Sequence, residues 1–175
     1  FKSLLHQDWR YTMFKNKTGK MYPLVNFFGI HLVPTLVVYF ALLPALHYIK
    51  GDKVNYLSLI GLVISLLATI IQLISDLQLH KFRKNNARTK CINIGLWKYS
   101  RHPNYLGEVL MWWGIYIFGL INDLKSYYLI IGAILNTCLF LFISIPLQEN
   151  RLKTYKENYE EYIKTTSKLL ILPKR

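Results

Sequence analysis

Arg101, His102, Asn104 and Glu108 fall within the single stretch Gly95-Leu-Trp-Lys-Tyr-Ser-Arg-His-Pro-Asn-Tyr-Leu-Gly-Glu108, where a cationic, hydrogen-bonding loop runs directly into an apolar segment. Arginine can grip a phosphate or carboxylate with two charge-assisted hydrogen bonds at once. Asn104 offers both a donor and an acceptor one helical turn before Glu108, a pair that matches an amide or a ribose. His102 has the ordinary pKa of a general acid or base, but beside a proline it reads as a local hydrogen-bonding group. Glu108 stands near the start of a run greasy enough for lipid, where an ionisable group is costly unless paired and is functional by default. None of the nine glycines forms a Gly-x-Gly, which excludes a dinucleotide-binding Rossmann turn. A phosphate-bearing ligand has to be held by side chains instead, with Arg83, Lys98 and Arg101 as the cations in reach.

The elements that position these groups are apolar helices. The chain has 175 residues, 53% of them hydrophobic, with positive mean hydropathy, which is too apolar for an ordinary soluble domain. Four runs account for the excess, and the sequence predicts transmembrane helices over 24–49, 54–75, 103–121 and 126–147. The fold class expected is an all-α, polytopic membrane bundle forming one domain over residues 1–175. A soluble bundle is the competing architecture, but its helices carry a polar stripe that these runs lack. At 1.5 Å per residue the first, second and fourth runs reach roughly 30 to 40 Å, against a bilayer core of about 30 Å. Phe1 in place of Met leads us to expect an N-terminally incomplete chain, with further helices ahead of it.

Charge orients the bundle. Five Lys and Arg precede the first run, two follow it at Lys50 and Lys53, seven lie between Asp76 and Asn104, one is Lys125, and seven follow Leu147. Alternate segments therefore hold 19 and 3, which puts the N-terminal segment, the central loop and the tail on the cytoplasmic side. The same asymmetry accounts for the net charge of +13 through anionic lipid headgroups, so no nucleic acid is invoked and no nucleic-acid motif is present. Cys91 and Cys138 have neither CxxC spacing nor company, so neither a disulfide framework nor a metal site is expected. Residues 1–22 read as an interfacial lead-in. The central loop is too long for a simple turn, and its first part continues the second helix, with Asp76, His80 and Arg83 on one face until Asn85-Asn86. Pro103 suits the first turn of the third run. Beyond Pro146, Leu152, Tyr155, Tyr159 and Tyr162 recur at helical spacing, which predicts an amphipathic helix from Gln148 to Tyr162.

Ser75-Asp76 with Phe82-Arg83, the Gly95 to Glu108 stretch followed by Trp112-Trp113-Gly114, and the tail from Glu149-Asn-Arg through Tyr162 and Thr166-Ser167 to Pro173 resemble the steroid 5-alpha-reductase-like membrane proteins. The likeness runs from about Trp9 onward and is nearest to the broad branch of that superfamily that also includes the sterol C14 and C7 reductases. It implies a membrane enzyme whose cytoplasmic loops and tail hold NADPH while a lipophilic substrate enters from the bilayer, in the endoplasmic reticulum if the source is eukaryotic. The cofactor-binding residues it implies are Asp76, Arg83, Tyr99, Arg101, Asn104, Glu108 and Arg151, and the reaction is reduction of a carbon-carbon double bond. Gln72 stands where several reductases have Asn, and Asn150 where they have His; the substrate-polarising Glu and Tyr of the reductases have no match, so no catalytic residue is assigned. A shorter Arg-His-Pro-x-Tyr-x-Gly pattern and a Glu-containing tail also resemble the isoprenylcysteine carboxyl and phospholipid methyltransferases, in which this loop would hold S-adenosylmethionine. A non-catalytic membrane scaffold is the third reading. The charge asymmetry makes one testable statement on its own. In sealed vesicles a membrane-impermeant thiol reagent should find Cys91 on the same side as a C-terminal tag, and opposite sides would overturn the orientation.

Overall fold

The computed structural model describes residues 8–49 and 55–174. The start of the lead-in, the basic stretch containing Lys50 and Lys53, and Val54 at the start of the second predicted span lie outside the described residues. The chain divides into two compact units, Phe1–Tyr39 and Phe40–Arg175.

Every named element among the described residues is helical; the only β feature there is one isolated bridge between Ser100 and Ser167. The helices are α1 Trp9–Thr18, α2 Tyr22–Val25, α3 Val33–Ile49, α4 Leu59–Asn85, α5 Pro103–Asn122, α6 Ile130–Cys138, α7 Ile145–Lys153 and α8 Tyr159–Thr165. Tighter or wider turns join several of them into three uninterrupted runs, Trp9–His47, Tyr56–Asn85 and Leu124–Lys153, each long and apolar enough to cross a membrane. Large apolar side chains face outward along them, Leu66 at 64% and Phe142 at 73% exposed. A face of that kind is stable against lipid, not water, so the chain is built as an integral membrane protein.

Prolines sit inside two of these runs without ending them. The turns Asn26–Leu32 and Leu139–Ser144 are π-helical, and each lies just ahead of a proline, Pro34 and Pro146. A proline removes the N-H that the carbonyl four residues earlier requires, and its ring crowds that carbonyl; a wider turn accommodates both effects.

Within the unit from Phe40 onward, α4 and α5 pack along their length with backbones almost touching. A methyl group added at Gly107 would lie 2.6 Å from the Ala68 carbonyl oxygen and 2.8 Å from Gln72 Cβ. Gly114 meets the Gly61 carbonyl oxygen at 2.7 Å in the same sense, and Ser65 Oγ donates to the Met111 carbonyl at 3.0 Å. At the far end of this pair the Asn55 amide donates to Asn122 Oδ1 at 2.9 Å, and His47 Nε2 meets Asp123 Oδ2 at 2.8 Å.

α4 continues past Ser75 to Asn85, as its sequence suggests, and the loop after it folds back onto it. Trp97 Nε1 donates to the Ser75 carbonyl at 2.9 Å, and Gln78 Oε1 accepts from the Leu96 amide at 2.9 Å. Gly95 makes that return with φ of 56°, against the Gln78 side chain, where a side chain of its own would be strained and obstructed.

The tail differs from expectation. Instead of one amphipathic helix from Gln148 to Tyr162, α7 stops at Lys153, and α8 begins only after Asn158, which adopts a left-handed φ of 55°. The intervening backbone is drawn to the loop: the Glu157 amide donates to the Thr89 carbonyl at 2.9 Å, a bond it could not make inside a helix. Lys156 Nζ binds the carbonyls of Arg88 and Lys90 at 2.7 and 2.5 Å. Pairing with the loop outweighs the modest gain of the i,i+4 ion pairs Lys153–Glu157 and Lys156–Glu160 that a continuous helix would have offered, each about 0.3 to 0.5 kcal/mol.

The close seam between α4 and α5 gives a stability prediction. Gly107→Ala should lower unfolding stability in detergent by about 1 to 3 kcal/mol through overpacking against backbone, whereas Gly29→Ala, with open space around it, should not. Equal thermal unfolding of the two variants would contradict the packing described.

Candidate functional site

A cavity of about 240 Å³ opens where the end of α4, the loop before α5, the start of α5 and the tail converge. Asp76 and Arg83 reach it from α4, Arg101 and Asn104 from the loop and the first turn of α5, and Lys156 and Tyr159 from the tail. Trp97, Ile92, Leu79 and Leu152 supply its apolar walls. Four residues singled out by sequence, Asp76, Arg83, Arg101 and Asn104, thus share one cavity. Three others do not line it: Tyr99 lies outward at 38% exposure beneath Lys98, Glu108 is half-buried one turn further along α5, and Arg151 lines a separate hollow beside Arg83.

The local fold explains this convergence. Pro103 occupies the first turn of α5, where its missing N-H costs nothing, and this holds Asn104 at the helix start. Asn104 Nδ2 then donates to Asp76 Oδ1 at 3.0 Å, which fixes the amide and turns its oxygen away from Asp76. Ser100 Oγ donates to the Leu169 carbonyl at 2.7 Å and the Arg101 amide to the Ser167 carbonyl at 2.9 Å, so the tail holds the loop by its backbone. The Tyr162 hydroxyl donates to the Trp97 carbonyl and completes the attachment.

Glu149 of α7 sets the electrostatics. Its Oε1 lies 3.1 Å from His102 Nε2 and 3.2 Å from Arg101 Nη1, all three residues being buried. The His102 ring stacks on Tyr105, with centroids 5.3 Å apart and planes 6° from parallel. Burial pulls the His102 pKa down, and Arg101 and Lys168 add to that, against the opposing pull of Glu149. His102 is therefore a neutral, structural hydrogen-bond partner at pH 7. Burial likewise pushes the Tyr159 and Tyr162 phenols and the Cys91 thiol up, so these groups stay protonated. Cys91 is therefore mostly thiol at pH 7, and thiol reagents react with it slowly.

Besides Arg101 Nη1, which meets only Glu149 in the ion pair, three buried polar atoms of the cavity's residues have no hydrogen-bond partner among the described residues: Arg101 Nε, Asn104 Oδ1 and Tyr159 Oη. Buried polar groups are nearly always satisfied, and leaving one unmade costs about 1 to 3 kcal/mol. Two donors and an acceptor gathered around one cavity, with Arg83 and Asp76 beside them, are complementary to a polar ligand carrying both acceptors and a donor. Tyr159 was not legible as a site residue from the sequence, and Glu149 stood out there only as part of the tail motif, without a partner or role. The tyrosine stripe reads equally well as packing, and only the turn at Asn158 aims Tyr159 into the cavity.

Residues 3–166 match the family described as a protein of unknown function (DUF1295), and the chain belongs to that family. No curated protein and no solved structure matches it.

The His102 shift has a consequence for stability. Because the folded pKa lies below the unfolded value of about 6.5, the unfolded chain binds more protons as pH falls below that value, so stability rises with pH and is lost on acidification. Unfolding in detergent between pH 7.5 and 5 should show this loss, and His102→Gln, which keeps a donor but cannot be charged, should flatten it. An unchanged slope in that variant would remove His102 as the source.

Proposed function

We propose that this member of the family of unknown function is a membrane-embedded reductase that uses NADPH to saturate a carbon-carbon double bond in a lipid or steroid-like substrate. The observation that carries the reading is the group of three unpartnered buried polar atoms around one cavity, built from the same loop and tail on which the reductase resemblance rests. Arg101 Nε and the Tyr159 hydroxyl serve as donors to the cofactor, Asn104 Oδ1 as an acceptor locked in place by Asp76, and Arg83 as a charge for its anionic part. The cavity has room for one ring-sized end of a dinucleotide, and the remainder lies outside its walls. NADPH supplies a hydride for an electron-poor double bond, and the chain supplies orientation and an apolar wall that excludes water. Tyr99, Glu108 and Arg151 stand outside the cavity and take no part in this assignment.

The reading treats α5 as a fourth crossing. Its 20 residues reach about 30 Å as a helix, and with it the loop and tail share one face of the bilayer, the cytoplasmic one by the 19-to-3 charge distribution. A lipophilic substrate then meets the cavity from the membrane, and the cofactor from the cytosol.

Equilibrium binding of NADPH and of S-adenosylmethionine to the purified protein in detergent tests the proposal. NADPH should bind more tightly, and Arg101→Ala or Asn104→Ala should weaken it roughly 10- to 100-fold, the equivalent of a charge-assisted bond of about 1.5 to 3 kcal/mol. Preference for the methyl donor would replace the reductase reading with a methyltransferase, and binding of neither would leave a scaffold.

A further inference from the structure

At the end of the bundle away from the cavity, two turns are built alike. Asn55-Tyr56-Leu57-Ser58 leads into α4, and Asp123-Leu124-Lys125-Ser126 leads toward α6. In each, the side-chain oxygen of the first residue accepts the amide two residues on, Asn55 Oδ1 from Leu57 and Asp123 Oδ1 from Lys125, both at 3.0 Å. The serine hydroxyl then donates back to the first residue's carbonyl at 2.6 Å, Ser58 to Asn55 and Ser126 to Asp123, and both serines are buried. Short polar side chains of this kind satisfy the backbone of a turn locally. Both turns are also tied to neighbouring helix ends. Asn55 Nδ2 donates to the Ile121 carbonyl at 3.3 Å, beside the bond from the Asn55 amide to Asn122, and His47 meets Asp123 at 2.8 Å.

What these turns present outward is aromatic and apolar. Tyr56 is 83% exposed, Leu124 74% and Tyr127 67%, and Leu57 and Tyr128 are exposed beside them. This surface continues into the outward faces of α4 at Leu59, Ile60 and Val63 and of α6 at Ile131 and Ile134. Depth says what covers it. Polar contacts link α4 to α5 at both ends, Asn104 with Asp76 and Asn55 with Asn122. Those contacts lie about 31 Å apart along α4 and about 27 Å apart along α5, the thickness of one hydrocarbon core. The turns therefore stand just outside the core, in the layer of esters and headgroups. Tyrosine is favoured there because its ring is apolar and its hydroxyl polar. Further out, water would meet bare Leu57 and Leu124; further in, hydrocarbon would surround the charges of Asp123 and Lys125. We propose that Tyr56, Tyr127 and Tyr128, with Leu57 and Leu124, form an anchor that docks in the phospholipid headgroup layer on the side opposite the cavity and sets the depth of the bundle. The anchor rests on the reading of α5 as a crossing.

The test uses the full chain in phosphatidylcholine nanodiscs, with Cys91→Ser and Cys138→Ser removing the native thiols and a nitroxide label at Leu57→Cys or Leu124→Cys. Collision of the label with oxygen, which partitions into lipid, and with a water-soluble nickel chelate reports its depth. Both labels should lie in the interfacial layer, about 5 to 7 Å thick on each side of the core. A label as open to nickel as one in free solution, or one at the depth of the acyl chains, would overturn the anchor. The crossing is read separately, from a thiol at Lys125→Cys and a C-terminal tag in sealed vesicles probed with an impermeant reagent. The same side for both would overturn the crossing and the anchor together, whereas opposite sides with labels in water would overturn the anchor alone. Replacing Tyr56, Tyr127 and Tyr128 together by Ser should lower the thermal midpoint in nanodiscs by a few degrees, and replacing them by Trp, equally suited to this layer, should preserve it. Equal midpoints for the two triple variants would remove the tyrosines from the anchor.

Discussion

The Glu149 carboxylate is the interaction on which the site depends. It meets both Arg101 and His102 of the loop motif from a helix nearly fifty residues away in sequence. Burying a carboxylate and a guanidinium costs several kcal/mol of desolvation each, which their attraction offsets only when the geometry is good. Removing one partner is worse, because it strands the other in a dry place. The pair therefore acts less as a source of stability than as a register mark, holding the start of α5 and the start of the tail at a fixed separation. The hydrogen bonds from the loop to the Ser167 and Leu169 carbonyls repeat that constraint further along.

Most of the scaffold was legible in the sequence because hydrophobic length is a strong signal. The runs that became Tyr56–Asn85 and Leu124–Lys153 carry no polar stripe, and Pro103 and Asn85-Asn86 marked helix ends that the structure keeps. That Asp76 and Asn104 belong to one site was implied only by the resemblance; the motif's own chemistry paired Asn104 with Glu108, which does not line the cavity. What periodicity missed was the break at Asn158. A tyrosine stripe at helical spacing predicts a helix whether or not a loop elsewhere competes for its amides, and the loop's carbonyls at Arg88, Thr89 and Lys90 supply that competition here. Tyr159 reaches the cavity through that non-local event, so no local pattern could announce it.

The prolines carry a related lesson about membrane helices. A proline inside a helix ordinarily kinks or breaks it, yet Pro34 and Pro146 both lie in continuous runs behind a widened turn. In lipid no water is present to take up a carbonyl released by proline, so the chain rearranges its own hydrogen bonds rather than opening. Each widened turn also rotates the helix on its C-terminal side relative to the helix on its N-terminal side. Side chains before and after Leu139–Ser144 therefore do not share the stripe that a uniform 3.6-residue repeat would assign them.

The seam between α4 and α5 bears on traffic. With Gly107 and Gly114 set against the opposing backbone, these two helices leave no gap wide enough for an acyl chain or a fused ring between them. The seam closes that side of the cavity to the bilayer. Any hydrophobic molecule moving toward the cavity from the bilayer would have to travel around this pair rather than through it.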